Sequence, residues 1–169
     1  MRKFSSLTLV ALTLVFGACK PKDVEVTNVA RAQAAHLASE AQMQNKLRDY
    51  AEAEKSLARA VELDPNEPAY WSGLGLNRVM LGDNSGAKKA YKRELELCEK
   101  AAKKDPKDID AQLSPLRPLV LLGRADDARK LLEKVGRAHS DNAALRQLID
   151  SKPIDKMLAN PAIQQAMVK

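Results

Sequence analysis

The residues that could carry acid–base, nucleophilic or metal chemistry are few in this 169-residue chain, and they lie far apart in the sequence. There are two histidines, His36 and His139, and two cysteines, Cys19 and Cys98. An enzyme that works near neutral pH needs a base, a nucleophile or a metal ion held together in one site. Because the sequence has no His-x3-His or Cys-x2-Cys pair, a zinc site is not supported. We therefore expect no catalytic residues, no cofactor and no metal ion.

The histidines and several carboxylates have simpler structural interpretations. His36 lies in an alanine-rich segment, and His139 lies where a helix is expected to end, so that a positive charge suits the helix dipole. Glu94, Glu96 and Glu99 alternate with lysine and arginine, which is typical of a solvated helix face. These three carboxylates are therefore expected to be exposed.

The charge of the chain argues against nucleic-acid binding. The net charge is +6, but the 28 basic and 22 acidic residues are interleaved, unlike the clustered charge of a nucleic-acid-binding surface. The densest group of cations comprises Lys88, Lys89, Lys92, Arg93, Lys100, Lys103 and Lys104. We interpret it either as an ordinary solvated surface or as a surface that contacts anionic lipid headgroups.

The first nineteen residues have the organisation of an export signal. Two cations precede an uncharged apolar run, and the small residues Gly17 and Ala18 lead directly to Cys19. As a helix the apolar run is about 20 Å long, too short to span a hydrocarbon core about 30 Å thick. The Gly-Ala-Cys ending resembles the lipobox of bacterial lipoproteins, although Phe16 stands where leucine is usual.

That resemblance implies that residues 1–18 are a lipoprotein signal peptide and that the Cys19 thiol is diacylated. The alternative is an ordinary signal cut after Ala18, which leaves Cys19 as a spare thiol. In such lipoproteins Lys20, rather than aspartate, implies the outer membrane, with the protein facing the periplasm. Residues 19–29 are then the lipidated cysteine and a tether. Cys98 has no partner for an internal disulfide, so it is either buried or an intermolecular contact.

The remaining chain is predicted to be helical and to repeat one pattern three times. Only 4% of the residues are aromatic, and the bias towards alanine, leucine and charged residues favours helices over sheet. The middle copy reads Trp71-x2-Leu74-Gly75-x5-Leu81-Gly82-x4-Ala87-x3-Tyr91. The first copy keeps Ala53, and the third keeps Gly123 and Ala128. The three alanines are separated by 34 and 41 residues.

Each repeated residue type has a physical reason. Large apolar residues spaced by three and four predict one buried helix face. Gly82 and Gly123 lie where the chain must reverse through a left-handed conformation. Alanine early in the second helix lets the paired helix approach closely. Pro65 and Pro106 follow the second helices, because proline cannot continue a helix.

This pattern resembles the tetratricopeptide repeat over residues 30–140. The resemblance implies an all-α fold, a tetratricopeptide-type α-solenoid of antiparallel helix pairs with about three repeats, the third degenerate. A non-repeating helical bundle with the same spacings is the alternative. Since the open end of a solenoid needs a cover, residues 141–169 are predicted to be C-terminal capping helices: about 142–150, a short helix to Ala159, and a last helix from Pro161 to Lys169.

Departures from the family pattern predict local irregularities. The family has a small residue where this chain has Glu94. The second helix of the middle copy is expected to run over 87–104. The distance to the next repeat then exceeds the usual period by seven residues, or about 10 Å of helix. In the third copy Ser114 is predicted to cap a short or kinked helix over 115–122, with Pro115 as its first residue.

In this family the first helices line a concave groove that binds a peptide. The resemblance places Gln42, Asn45, Lys46, Leu76, Val79, Met80, Arg117 and Leu121 in this groove. The apolar centre with polar or basic flanks indicates an amphipathic partner segment. The alternative is that these side chains pack on neighbouring repeats or on the cap.

The expected function is a membrane-anchored protein–protein interaction module or scaffold in the bacterial envelope, which supports an assembly or secretion machinery. Its partner is expected to be another envelope protein or a peptide segment. Two alternatives stay open. One is a structural or self-associating subunit, with the long helix over 87–104 as the homodimer face. The other is a non-catalytic accessory subunit of an envelope enzyme.

Overall fold

The computed structural model describes residues 25–168, which form ten α-helices and no strand. Cys19 and residues 1–18 lie outside the described residues. The helices are α1 Asn28–Lys46, α2 Tyr50–Leu63, α3 Pro68–Met80, α4 Asn84–Lys104, α5 Ile109–Leu113, α6 Leu116–Leu121, α7 Ala125–Ala138, α8 Ala143–Asp150, α9 Pro153–Ala159 and α10 Pro161–Ala166. Among these helices, none combines the length and the apolar character that a membrane span requires.

The helices form stacked antiparallel pairs. Turns of three residues join α1 to α2, α3 to α4 and α6 to α7, and α2 packs on α3 so that the pairs stack side by side. The three repeated alanines, Ala53, Ala87 and Ala128, have no exposed surface. Their missing side chains allow the close contact between helices that the repeat pattern predicts. The all-α tetratricopeptide-type solenoid is therefore confirmed.

The turns inside the pairs use a left-handed residue each time. Gly82 has φ of 81° and Gly123 has φ of 74°, as their positions in the pattern predict. The first pair has Arg48 at the equivalent position with φ of 59°, a conformation that costs a non-glycine residue energy. Asp49 and Asp83 follow the first two turns and cap α2 and α4 by accepting a backbone N–H.

The long second helix of the middle repeat ends at Lys104 as predicted but begins at Asn84, three residues earlier than Ala87. The earlier start follows from the Asp83 cap, which accepts the Gly86 N–H at 2.8 Å. The extra turns pack on α5, where the Gln112 side-chain amide donates to the Ala102 carbonyl. Cys98 is buried on this helix, which confirms the buried interpretation.

The predicted cap of the third repeat is wrong in detail. Ser114 does not cap the start of α6. It is the C-cap residue of α5, with a helical backbone, and its hydroxyl donates to the Ala111 carbonyl at 2.8 Å. Asp108 caps α5 instead and accepts the Ala111 N–H. Pro115 and Pro118 lack the N–H groups that a continuous helix uses, so the chain kinks into α5 and α6. The prediction of a short, kinked helix holds, with α6 ending at Leu121.

Of the C-terminal helices, α8 packs on α7, α9 packs on α6 and α7, and α10 packs on α3, α6 and α9. Asn142 caps α8 and α8 ends at Asp150, as predicted. The last helix is shorter than predicted, because α10 ends at Ala166 and Met167 adopts an extended backbone with ψ of 139°. The extended backbone lets the Val168 N–H donate to the Leu121 carbonyl at 3.0 Å, which a helix continuing to Lys169 would not allow.

Candidate protein-binding groove

The groove positions predicted from the sequence lie on the first helices, α1, α3 and α6, but the structure groups only some of them. Leu76, Val79 and Leu121 belong to one apolar cluster between α3 and α6. Gln42 and Lys46 on α1 are exposed and lie outside this cluster. The groove therefore has an open polar part at α1 and an apolar part between α3 and α6.

The apolar part of the groove is filled by the chain's own C-terminal segment, residues 160–168, which we call the tail. Ala166 of the tail is only 4% exposed and packs in the same cluster as Leu121. Leu121 itself has no exposed surface, so its predicted role in contacting an external partner is wrong for this conformation. The tail residues Ile163, Met167 and Val168 are half-buried against this cluster.

Two hydrogen bonds hold the tail through its backbone. The Tyr91 hydroxyl donates to the Ala166 carbonyl at 3.0 Å, and the Val168 N–H donates to the Leu121 carbonyl at 3.0 Å. Burial raises the pKa of Tyr91, so its hydroxyl keeps its proton and remains a donor. Both bonds use backbone groups of the tail, which any amino-acid sequence can offer.

The residues that define the middle repeat position Tyr91 for this contact. A Cβ atom at Gly75 would lie 2.3 Å from the Tyr91 ring, so only glycine lets the ring lie flat against α3. Leu74, 1% exposed, packs on the other side of α3 with Ala53. Trp71 is half-buried, and its indole N–H donates to the Pro65 carbonyl at 2.9 Å.

Behind the groove lies a buried polar cluster that the sequence analysis missed. Glu94 is 5% exposed, which contradicts the expected solvated position. Arg117, the predicted groove residue of α6, lies with Nη1 3.6 Å from Glu94 Oε1 and also donates to the Ser72 hydroxyl. The other carboxylate oxygen, Oε2, is buried and has no hydrogen-bond partner among residues 25–168. The signal for burial was present in the spacing, because Glu94 lies three residues after Tyr91 and four before Cys98 on one helix face.

The environment of Glu94 favours its protonated form. Burial raises its pKa from 4.5 to about 7, although the positive charge of Arg117 and a hydrogen bond with Ser72 act in the opposite direction. Arg117 remains half exposed, so this cluster joins α3, α4 and α6 and holds a cation at the groove. With this pKa, the carboxyl group changes charge near neutral pH.

A cavity of about 310 Å³ lies between the C-terminal end of α3, the turn that follows it and the tail. It is lined by Val79, Met80, Gly82, Asn84 and the tail residue Gln165. Two of the predicted apolar groove residues, Val79 and Met80, thus border this cavity.

The candidate chemical residues are dispersed, as their sequence positions indicate. His36 is exposed beside Glu40, with its Nδ1 3.5 Å from the carboxylate, and His139 caps the C-terminal end of α7. Within residues 25–168, no three His, Cys, Asp or Glu side chains are grouped so that they could hold a metal ion.

No protein-family model and no curated protein matches this chain. Among solved structures, it is similar to the Yersinia enterocolitica type III secretion chaperone SycD in complex with a peptide of the translocator YopD. The identity is 21%, the match covers 82% of this chain and 97% of that chain, and the TM-score is 0.46.

Two further structures are similar at lower identity. For the first TPR of Spaghetti (RPAP3) bound to an HSP90 peptide, the identity is 17%, the coverage is 77% of this chain and 96% of that chain, and the TM-score is 0.44. For the Arabidopsis OM64 TPR domain, the identity is 13%, the coverage is 75% of this chain and 98% of that chain, and the TM-score is 0.43. These similarities concern the helical fold, which the helix pairs described above establish by themselves.

Proposed function

We propose that this chain is a non-catalytic protein-interaction module of the bacterial cell envelope that binds a segment of another protein in its concave groove. The observation that carries the proposal is the tail in the groove. A short apolar segment lies between α3 and α6 and makes one hydrogen bond through a backbone carbonyl and one through a backbone N–H. A surface that holds one such segment in this way has the chemistry to hold another.

The groove also supports a statement about the partner. Its apolar side chains lie on α3, and the polar residues Gln42 and Lys46 are exposed on α1, the first helix of the preceding pair. A partner segment with one apolar face and one polar or acidic face fits this arrangement. Met80, with a flexible thioether side chain beside the cavity, adapts to different apolar side chains.

Photocrosslinking in intact cells tests the proposed function. A photoreactive residue at Met80 is expected to capture a second envelope protein, while the same residue at the exposed Lys89 of α4 serves as the control. Capture of the same proteins from both positions, or at Met80 of nothing but the chain's own tail, contradicts the proposal. The captured protein also separates a scaffold in an assembly or secretion machinery from an accessory subunit of an envelope enzyme.

The proposed envelope location rests on the sequence around Cys19. Two or three acyl chains hold a protein on a membrane far more firmly than one, and the following residues supply a tether. Metabolic labelling with an alkyne analogue of palmitate is expected to mark the wild-type chain and not Cys19→Ser. Equal labelling of both, or labelling of neither, contradicts the lipid anchor and leaves the groove proposal unaffected.

Self-association through the long helix is less well supported than partner binding. Among residues 25–168 the large apolar side chains that are exposed are Val29, Met43, Leu47, Leu81 and Leu148, and none of them belongs to α4. The exposed positions of α4 include Lys88, Lys89 and Lys92, whose like charges oppose pairing of two copies. Sedimentation is therefore expected to find a monomer.

A further inference from the structure

The tail is held less firmly than the helix that precedes it. The preceding helix α9 is firmly held, because Ile154 is 3% exposed in the third-repeat core and Asp155 accepts a hydrogen bond from Arg129 at 2.9 Å. By contrast, α10 has six residues, of which only Ala166 is buried. A helix of this length is not stable without its packing partner.

The junction between the two helices is a natural hinge. Asn160 has an extended backbone, with ψ of 119°, and caps α10 by accepting the Ala162 N–H at 2.9 Å. Pro161 begins α10 and is exposed. Rotation at Asn160 therefore releases α10 from the groove and takes Ile163 away from the third-repeat core, while α9 stays held by Ile154 and by the hydrogen bond between Asp155 and Arg129.

The contacts of the tail define what the groove selects. The site for Ala166 is closed by Tyr91, Ala87 and Leu121, so it accepts only a small side chain. Ile163 lies three residues before Ala166, and Met167 lies one residue after it. Both are half-buried, so these two positions require apolar side chains. The residues between them, Gln164 and Gln165, are exposed and select nothing.

We infer that the tail is a built-in competitor that occupies the groove until a partner segment of the same chemistry displaces it. Such a segment is a short helix with an apolar, a small and an apolar residue at the positions of Ile163, Ala166 and Met167, followed by an extended residue that donates its N–H to Leu121. This inference rests on the proposed function, because it names the partner chemistry of the same groove. A covalently attached tail has a high effective concentration at its site, so only segments that bind more tightly than the tail gain access.

A synthetic copy of the tail provides the probe. We would measure the fluorescence anisotropy of a labelled peptide with the sequence of residues 160–169 as it binds to the full chain in detergent. In Ala166→Arg the bulky side chain does not fit beside Tyr91, so the attached tail leaves the groove. Ala162→Arg is the matched control, because it makes the same change at an exposed position of α10.

The peptide is expected to bind Ala166→Arg at least about tenfold more tightly than it binds the wild type or Ala162→Arg. A peptide that carries the Ala166→Arg change itself is expected not to bind. Equal affinity for all three proteins contradicts the inference, and so does the absence of binding to a well-folded Ala166→Arg.

A second variant keeps the test valid if Ala166→Arg fails to fold. Met167→Asp places a charge on the half-buried edge of the tail, a milder change, and replaces Ala166→Arg if circular dichroism shows lost helix. Loss of folding in both variants would show that the tail is an integral part of the core and would also overturn the inference. The peptide assay needs no envelope partner, so failed crosslinking at Met80 together with successful peptide binding would refute the proposed function alone.

Discussion

The two halves of the solenoid treat the concave groove differently. Between α1 and α3 the groove positions Gln42 and Lys46 remain exposed, whereas between α3 and α6 the tail covers Leu76, Val79 and Leu121. Both halves are built on fully buried alanines at the same repeat position. The difference between the two halves therefore arises from the tail, which follows the repeats. The same repeat pattern produces an open surface where the tail is absent and a covered surface where the tail packs.

The largest expected effect is a difference in the free energy of unfolding between a variant in the repeat core and a variant in the tail. Leu74→Ala removes a buried side chain from the core of the first two repeats and should lower the free energy of unfolding by about 2–5 kcal/mol. Ile163→Ala removes a half-buried side chain from the tail and should cost about 1 kcal/mol. Urea unfolding of both variants measures the difference, and similar losses would show that the tail is as integral as the repeats.

The second prediction concerns the polar layer between the two halves. Between pH 4.5 and about 7 the folded chain keeps a proton on Glu94 that the unfolded chain has released. The free energy of unfolding therefore falls as the pH rises through this range, by about 2–3 kcal/mol. Burial raises the pKa of both Tyr91 and Cys98, so these two groups do not titrate there.

Glu94→Gln removes the titrating group and is expected to flatten this pH dependence, whereas Glu96→Gln, at an exposed position of the same helix, should leave it unchanged. Urea unfolding at a series of pH values from 5 to 8 measures both slopes. A slope that survives in Glu94→Gln would assign the pH dependence to another group.

The third prediction tests the hydrogen bond that ties the middle repeat to the tail. Tyr91→Phe keeps the ring beside Gly75 but leaves the Ala166 carbonyl without its donor, which should cost about 1–2 kcal/mol. Hydrogen exchange at the Val168 amide should become faster. Tyr50→Phe, on α2 and remote from the tail, is the control. Unchanged exchange at Val168 would mean that the bond does not hold the tail.

The smallest effect is expected at the turns, where the first pair differs from the second. Arg48→Gly relieves a left-handed conformation and should stabilise the chain by about 0.5–1 kcal/mol. Gly82→Ala imposes the same conformation on a side chain and should destabilise it by a similar amount. Thermal unfolding measures both effects. If Arg48→Gly destabilises the chain, the Arg48 side chain stabilises the fold by more than its left-handed backbone destabilises it.

Local signals in the sequence were sufficient for much of the fold. Gly82 and Gly123 mark turns because the backbone there needs a positive φ, and α2 and α4 end just before Pro65 and Pro106. Such features depend on neighbours along the chain, so the helix pairs of the solenoid could be predicted without coordinates.

The errors concern contacts between segments that are distant in sequence. The residues next to Glu94 in the sequence have the composition of a solvated helix. The burial of Glu94 is possible only because Arg117 approaches it from α6. The tail reaches Tyr91 across 75 residues, and no periodicity in its sequence shows which surface it covers. The tail also decides which of the predicted groove residues remain open, because it packs against Leu76, Val79 and Leu121.

An NMR measurement on the full chain in detergent tests the central claim most directly. If the tail occupies the groove, nuclear Overhauser effects connect the Ala166 methyl group to the Tyr91 ring and the Met167 side chain to residues of the α3–α6 cluster. Random-coil chemical shifts for residues 161–168, with none of these contacts, would contradict the claim and leave the whole concave groove open.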